Sequence, residues 1–255
     1  MLLTEGTSAV EGKWHVNWLR VSLGLIVCFA AIWLVGEAMQ SLSPWYEARS
    51  LFRQQPALER TPSPIRDKSV APLPGFQVEL FGLAVQTPWN RSGTIQLASN
   101  LATIPFPEQH VAMMLFKPSS NDFERRMFAQ ATRERDDAGG ISNYKLVAAE
   151  MFATPDDVKW WRGIKRNEAQ SFLLEMKALR IADLTEIYSI DFGNFKGFQV
   201  GNPSMPPYRI LLDLVDVNDR YYQIRIGPTD RHGPIISQAQ INAVVASIHQ
   251  LPDHP

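Results

Sequence analysis

The chain has 255 residues and a formal net charge of −1; it is 45% hydrophobic and 20% charged, with 18 prolines, five histidines and one cysteine. That length leaves room for one or two domains with a real core. A single cysteine excludes an intramolecular disulfide framework and cysteine-rich metal sites. A charge near zero lacks the basic footprint of a general nucleic-acid binder, so no nucleic acid is expected among its partners.

A mean hydropathy of −0.15 hides one very apolar stretch. Val21 to Gly36 is a run of sixteen uncharged residues, roughly 24 Å of helix against a bilayer core of about 30 Å. The flanks make up the difference: Arg20 can snorkel outward, and Trp14, Trp18, Trp45 and Tyr46 suit the two interfacial belts. We therefore expect residues 18–39 to form a single-pass transmembrane anchor in the lipid bilayer, behind a short tail over residues 1–17. The alternative is a buried core helix. A helix apolar on every face needs cover on every side, and nothing before residue 75 offers it. Gly36-Glu37-Ala38 also has the small-x-small form of a signal-peptide cleavage site. Against cleavage, Lys13 and Arg20 are offset by Glu5 and Glu11, so the leading segment is not net basic. An uncleaved signal-anchor is the favoured expectation. Basic residues tie on the two sides of the span. A short tail, one span and a large C-terminal domain form a common exported arrangement, and on that ground the C-terminal domain is expected outside the cytoplasm.

Residues 40–75 read as a juxtamembrane helix followed by a proline-rich linker. Trp45 to Gln54 can continue the helix. Pro56, Pro62, Pro64, Pro72 and Pro74 then forbid regular helix and favour extended chain. Arg60, Arg66 and Lys68 alternate with Glu59 and Asp67, and a plain spacer is expected.

From residue 76 to 250 the pattern is that of an α+β domain, with a short tail over 251–255. Phe76, Val78 and Leu80, then Leu83 and Val85, alternate with period two, and Gly82 marks a bend or bulge. His110 to Phe116 is a buried-strand candidate. Asn121-Asp122 can cap a helix carrying Phe123, Met127, Phe128 and Ala131, stopped by Gly139-Gly140. Thr154-Pro155-Asp156-Asp157 carries the start signals of a short helix. Gly163 separates it from a longer one through about Leu179, with Phe172, Leu173, Met176 and Leu179 on the apolar face. Strands follow over Ile187–Ile190, Phe195–Val200, Tyr208–Val217 and Tyr221–Ile226. The last two flank the turn Asn218-Asp219. Ile210, Leu212 and Leu214 face one way, matched by Tyr222, Ile224 and Ile226; Leu211 and Val215 are apolar on the opposite face, so both faces need cover. A last helix from about Ser237 carries Ile241, Val244, Val245 and Ile248. The expected fold is one antiparallel sheet of five to seven strands packed with helices.

That order resembles a known pattern. A first strand ending in Pro88-Trp89, a buried strand, a helix, the Gly197-to-Gly201 strand G-F-Q-V-G, a long hairpin and a final helix ending Ala246-Ser247-Ile248 are similar to PsbP-like α/β/α sandwich domains over residues 75–250. The resemblance implies an extrinsic domain that docks on or assembles membrane protein complexes, generally without catalysis. The chain departs from that pattern in its own anchor and in a longer helical insertion around 150–182.

Known catalytic signatures are missing: no G-x-S-x-G elbow, phosphate loop, dinucleotide fingerprint or H-E-x-x-H pair occurs. No catalytic, cofactor-binding or metal residue is singled out, and no cofactor is expected. Asp213 and Asp216 fall on opposite faces of a strand, and Asp219 reads as turn chemistry. The candidate interaction surface is Trp160, Trp161, Arg162, Lys165 and Arg166, two indoles followed by the densest basic cluster, facing lipid or a partner; the competing reading is the solvated face of an amphipathic helix. The leading expectation is a membrane-anchored, non-catalytic binding or assembly module contacting another membrane or envelope protein, since tethering lets a weak interface suffice. The alternatives are a tethered enzyme with a site assembled around His110 or His232, and a small-ligand sensor.

Overall fold

A computed structural model describes residues 18–73, 75–90, 93–117, 126–129, 141–159, 164–230 and 236–251. Side chains at 18–25, 37, 38, 40, 41 and 164 fall outside that description. Helix α1 runs unbroken over Trp18–Gln54, 37 residues and about 55 Å of helix. Every side chain from 26 to 36 is exposed, so at 100° per residue the apolar segment is open on all sides. Among the described residues no helix is long and apolar enough to cross a membrane; of the apolar run, only the part from Ile26 onward has described side chains.

After α1 the elements are β1 (Ser63–Pro64), β2 (Gln77–Leu80), β3 (Leu83–Gln86), β4 (Gln96–Leu97), β5 (Leu101–Phe106) and β6 (Val111–Phe116). Then come α2 (Asn143–Phe152), α3 (Ile164–Ile181), β7 (Ile187–Phe192), β8 (Phe195–Val200), β9 (Ile210–Asp216), β10 (Tyr221–Pro228), α4 (Gln238–Ser247) and β11 (His249–Gln250). Eight described strands form one sheet in the order β1-β7-β8-β9-β10-β6-β5-β4. All its pairs are antiparallel except β1 with β7. A separate three-stranded sheet has the order β11-β3-β2. The α+β class, mainly antiparallel and packed with helices, is as expected; the sheet is larger than the five to seven strands expected, and a second sheet accompanies it.

The β9–β10 hairpin follows its alternation: Tyr222 opposes Leu214, Ile224 opposes Leu212 and Ile226 opposes Ile210. These six enter one core with Ile104, Phe106, Met113 and Leu115, covered by β2–β3 and by Ile241, Val244 and Val245 of α4. On the opposite face Leu211, Phe198 and Val200 pack with Val147 and Met151 of α2 and Ala178 and Ile181 of α3. The layers are therefore helices, sheet, then one helix with a small sheet.

Several elements differ from their sequence reading. Gly82 is no bend in one strand: Phe81 and Gly82 sit at φ 55° and 78° as the two-residue turn of a β2–β3 hairpin, where Leu80 opposes Leu83. Positive φ at both central residues suits the strand twist, and glycine takes it without steric cost. Strand β5 was hidden by Pro105. Its missing N–H points to the β4 side, where the Pro105 carbonyl accepts from Gly93 N at 2.8 Å and no strand ladder is lost. Helix α2 carries no polar stripe to read: it buries Leu146, Val147, Glu150 and Met151, a face that includes a carboxylate, and its open side bears Tyr144, Ala148 and Phe152. Thr154–Asp157 makes a capping box on a single 3₁₀ turn, Pro155–Asp157, rather than starting a helix. On α3 the buried side is Ala169, Leu173, Leu174, Lys177, Ala178 and Ile181, while Leu179 is 72% exposed, a correction to the expected apolar face. Of the helix expected after Asn121-Asp122, only residues 126–129 are described, and they are helical.

The linker is no spacer. Leu58 is fully buried, Asn242 Nδ2 donates to the carbonyls of Asp67 and Ser69 at 2.8 Å each, and Ala71 N donates to Ala239 O at 3.0 Å. Arg60 pairs with Glu186. The anchor of this segment is Lys177, whose Nζ donates to Leu58 O, Arg60 O and Ala153 O at 3.0, 2.8 and 2.7 Å. Contrary to the expectation of extended chain throughout, Pro56 opens a 3₁₀ turn, Pro56–Glu59, that carries the Leu58 carbonyl; the later prolines keep the chain extended, and β1 joins the sheet edge.

If the linker is part of the core, Leu58→Ala costs about 2–5 kcal/mol in urea unfolding, whereas a spacer residue would change it by less than about 0.5 kcal/mol. Burial pushes Lys177 from 10.5 down to about 8, with Asp157 opposing. The unfolded chain then holds the extra proton between those pH values, so the stability contribution of Lys177 rises from pH 8 toward 10.5 and the buried ammonium is a cost below 8. Urea midpoints measured across that window should rise less steeply with pH for Lys177→Met than for the unaltered chain.

Candidate functional site

The helices cover the sheet unequally. Helix α3 ends at Ile181 over β9 and β10, and beyond it the same face of β10 and β6 is only partly covered: Arg225 is exposed, and Ala112 and Met114 are half-buried. The step between the end of α3 and this open sheet is a cleft of about 230 Å³, lined among others by Met114, Leu179, Arg180, Asp183, Arg209 and Arg225. Gly227 gives it room: a Cβ there would stand 2.9 Å from Cγ of Arg209. Arg209 pairs with Asp183, and Arg225 lies over the Phe116 ring, 5.0 Å from its centroid. The surface is therefore apolar with fixed guanidinium groups, a chemistry suited to carboxylates carried on an apolar partner.

Beneath the cleft, Arg180 organises a buried network. Its Nε donates to Glu150 Oε2 at 2.6 Å and its Nη1 to Asp213 Oδ1 at 3.0 Å and to the Tyr221 hydroxyl at 2.7 Å. Gln223 Nε2 donates to Asp213 Oδ1 at 3.1 Å, and the Tyr221 hydroxyl donates to the same oxygen. Glu150 and Asp213 are fully buried. Burial opposes the Arg180 charge, but Asp213, Tyr221 and Glu150 outweigh it and hold the guanidinium charged. Burial and the Asp213 carboxylate push the Tyr221 phenol well above its ordinary range, so it stays a donor. Four elements, α2, α3, β9 and β10, are tied at one point, which makes the floor of the cleft rigid.

Of the interaction surface read from the sequence, Trp160, Trp161 and Arg162 lie outside the described residues. Lys165 is exposed and Arg166 half-buried at the start of α3, away from the cleft at its other end. His110 takes a left-handed conformation, φ 53°, at the β5–β6 connection, with Nδ1 2.8 Å from Asp230 Oδ2; His232 lies outside the described residues. Among the described residues no cluster of three or more His, Cys, Asp or Glu could hold a metal. Asp213 and Asp216 do face opposite sides of β9, one on Arg180 and the other accepting from Tyr222 at 3.1 Å. Asp219 is a turn residue at φ 61° that also caps α2, since its carboxylate accepts from Asn143 N at 2.8 Å. The cleft itself was missed. Its arginines are scattered over α3, the approach to β9, and β10, and the only sequence signal was the apolar alternation that put Arg225 on the face opposite Ile224 and Ile226.

Comparison with family models, with curated proteins and with solved structures gives no match. The network makes its own prediction. Arg180→Met leaves two buried carboxylates without their cation and costs about 3–5 kcal/mol; calorimetric unfolding of this variant beside Arg209→Met, which loses only an exposed pair worth about 0–1 kcal/mol, separates the two arginines.

Proposed function

We propose that this chain is a membrane-anchored, non-catalytic binding and assembly module. A span over residues 18–39 holds it in the lipid bilayer, and the cleft beside Arg225 receives another membrane or envelope protein. The observation that carries the reading is the continuity of α1. Its residues 26–36 are exposed on every side, a state that costs much in water and nothing in hydrocarbon. Its other end is docked: Ala48 is fully buried against Ala169, Leu173 and Leu174, and Arg49 donates to Asp156 at 2.7 Å. An anchor of this form presents the domain in one orientation rather than on a loose tether, which raises effective concentration at a neighbouring partner.

The cleft's chemistry supports contact over catalysis. Arginine does not exchange its proton near neutral pH, and the acid at the rim, Asp183, is held by Arg209. The PsbP-like resemblance implies an α/β/α layering; here helices lie on both faces of the large sheet, with a small three-stranded sheet added on one of them. The domain is read as lying outside the cytoplasm, which accessibility to external protease tests.

The test is affinity purification from mild-detergent membranes with a photocrosslinker at Leu179. One reproducible crosslinked protein is expected. Arg225→Glu should weaken its recovery about tenfold or more, ~1.4 kcal/mol or above, with thermal unfolding unchanged. Recovery of the chain alone overturns the reading. Protease protection in intact cells reports the side of the membrane.

A further inference from the structure

The helix layer stops short of the sheet it lies on. Helices α2 and α3 pack on Ile187, Phe198, Val200 and Leu211, and so cover β7, β8 and β9. A helix is about 10 Å across and strands are about 4.8 Å apart, so each helix spans roughly two strands. Next in the sheet come β10, β6 and β5, a strip wide enough for one more helix. On this face Ala112, Met114 and Phe116 of β6 and Leu101, Thr103 and Pro105 of β5 are half-buried, while the residues between them point to the core and are buried. Among the described residues these six side chains belong to none of the apolar clusters.

A sheet face that meets water ordinarily carries polar residues, and this one does not. Its rows read Leu101–Phe116–Gln223, Thr103–Met114–Arg225 and Pro105–Ala112–Gly227. The flank of α3 walls it: Leu179 is 72% exposed and lines the cleft with Met114. Small-molecule sites run to about 300–1,000 Å³; at about 230 Å³ the cleft is on the scale of inserted side chains. Arg225 stands in the middle row between Met114 and Leu211, with its guanidinium over the Phe116 ring. Among the described residues it has no acidic partner, because Asp183 is held by Arg209, and Glu150 and Asp213 by Arg180. Arginine keeps its charge. Whatever covers Met114 and Phe116 therefore covers that charge too, and must bring an anionic acceptor for it.

We propose that the partner element received at the cleft is an amphipathic helix, lying beside α3 on β10, β6 and β5, with a carboxylate that pairs with Arg225. This rests on the reading of the cleft as a docking site and names its occupant. The helix continues the layer of α2 and α3 across the sheet. Its apolar stripe, spaced i, i+3, i+4 and i+7, meets Thr103, Met114 and Phe116, and one large apolar side chain drops between Met114 and Leu179. The sheet is met on its face and the backbone bonds of a helix are internal, so recognition falls on that anchor and on the ion pair. The Phe116 ring holds the Arg225 guanidinium in place before docking, which lowers the ordering cost of the pair.

The test uses the full chain in its native membranes, with a photocrosslinking residue placed in turn at Thr103, Met114 and Leu179. Thermal unfolding checks that each variant is folded, and peptide mass spectrometry maps the attachment points on the captured partner. The expected result is one partner segment, with attachment points at helical spacings of three, four or seven residues and an Asp or Glu among them. Changing that acid to Arg should restore the recovery lost with Arg225→Glu. Attachment points that alternate or lie on separate segments, or a charge swap that restores nothing, overturn the acidic helix and leave the docking site standing. Capture of no partner from any of the three positions overturns the docking reading and this inference with it.

Discussion

A buried ammonium has to find oxygen, and in this molecule Lys177 takes three carbonyls from two other parts of the chain. Much of the architecture hangs on that requirement. Leu58 and Arg60 belong to the segment leaving α1, and Ala153 follows α2, so one side chain of α3 ties the linker to the end of α2. With the linker held there, Ser63 and Pro64 reach the edge of the sheet beside β7. Ser171 and Ala48 can then set α1 along α3. A methionine at 177 would fill the space but leave those carbonyls buried and unpaired, a penalty that apolar packing does not repair.

The sheet separates two kinds of interior. One face is apolar from β7 to β5 and is closed by α4 and the small sheet. The other is apolar only where α2 and α3 lie on it. At the margin of that cover stands the Glu150–Arg180–Asp213 network. Two carboxylates about one guanidinium are costly to bury, and such groups specify position more than they stabilise. Here they fix where α3 stops, and the uncovered strands beyond it become the cleft. The same parallel helix pair, joined at Ser171 and Pro44, sets the start of α3 beside α1 just past the end of its apolar run.

Legibility followed the range of the interactions. The β9–β10 hairpin was readable because its alternation and its turn residues are local, and opposing residues are a few positions apart. Strand β6 was readable as a short apolar run ended by a proline. The start signals at 154–157 were also local, though they close only a 3₁₀ turn. Helix α2 escaped because its open side carries Tyr144, Ala148 and Phe152 while its buried side includes Glu150, so residue type does not follow burial. Strand β5 escaped because proline argues against a strand unless its missing N–H faces no neighbour. The prolines of the linker announced extended chain, and extended chain serves as a spacer or as an edge strand equally well.

By itself the sequence determined the apolar run of Val21 to Gly36, the α+β class, the faces of the central hairpin and the near-neutral charge. Each of these rests on residues close in the chain or on composition. Only the tertiary structure decided that the linker is core, that Lys177 rather than an apolar residue faces inward on α3, and that Arg180, Arg209 and Arg225 line one cleft. Those outcomes depend on carbonyls and carboxylates brought from more than twenty residues away. Their pairing energy exists only once the chain has folded, and no local pattern records it.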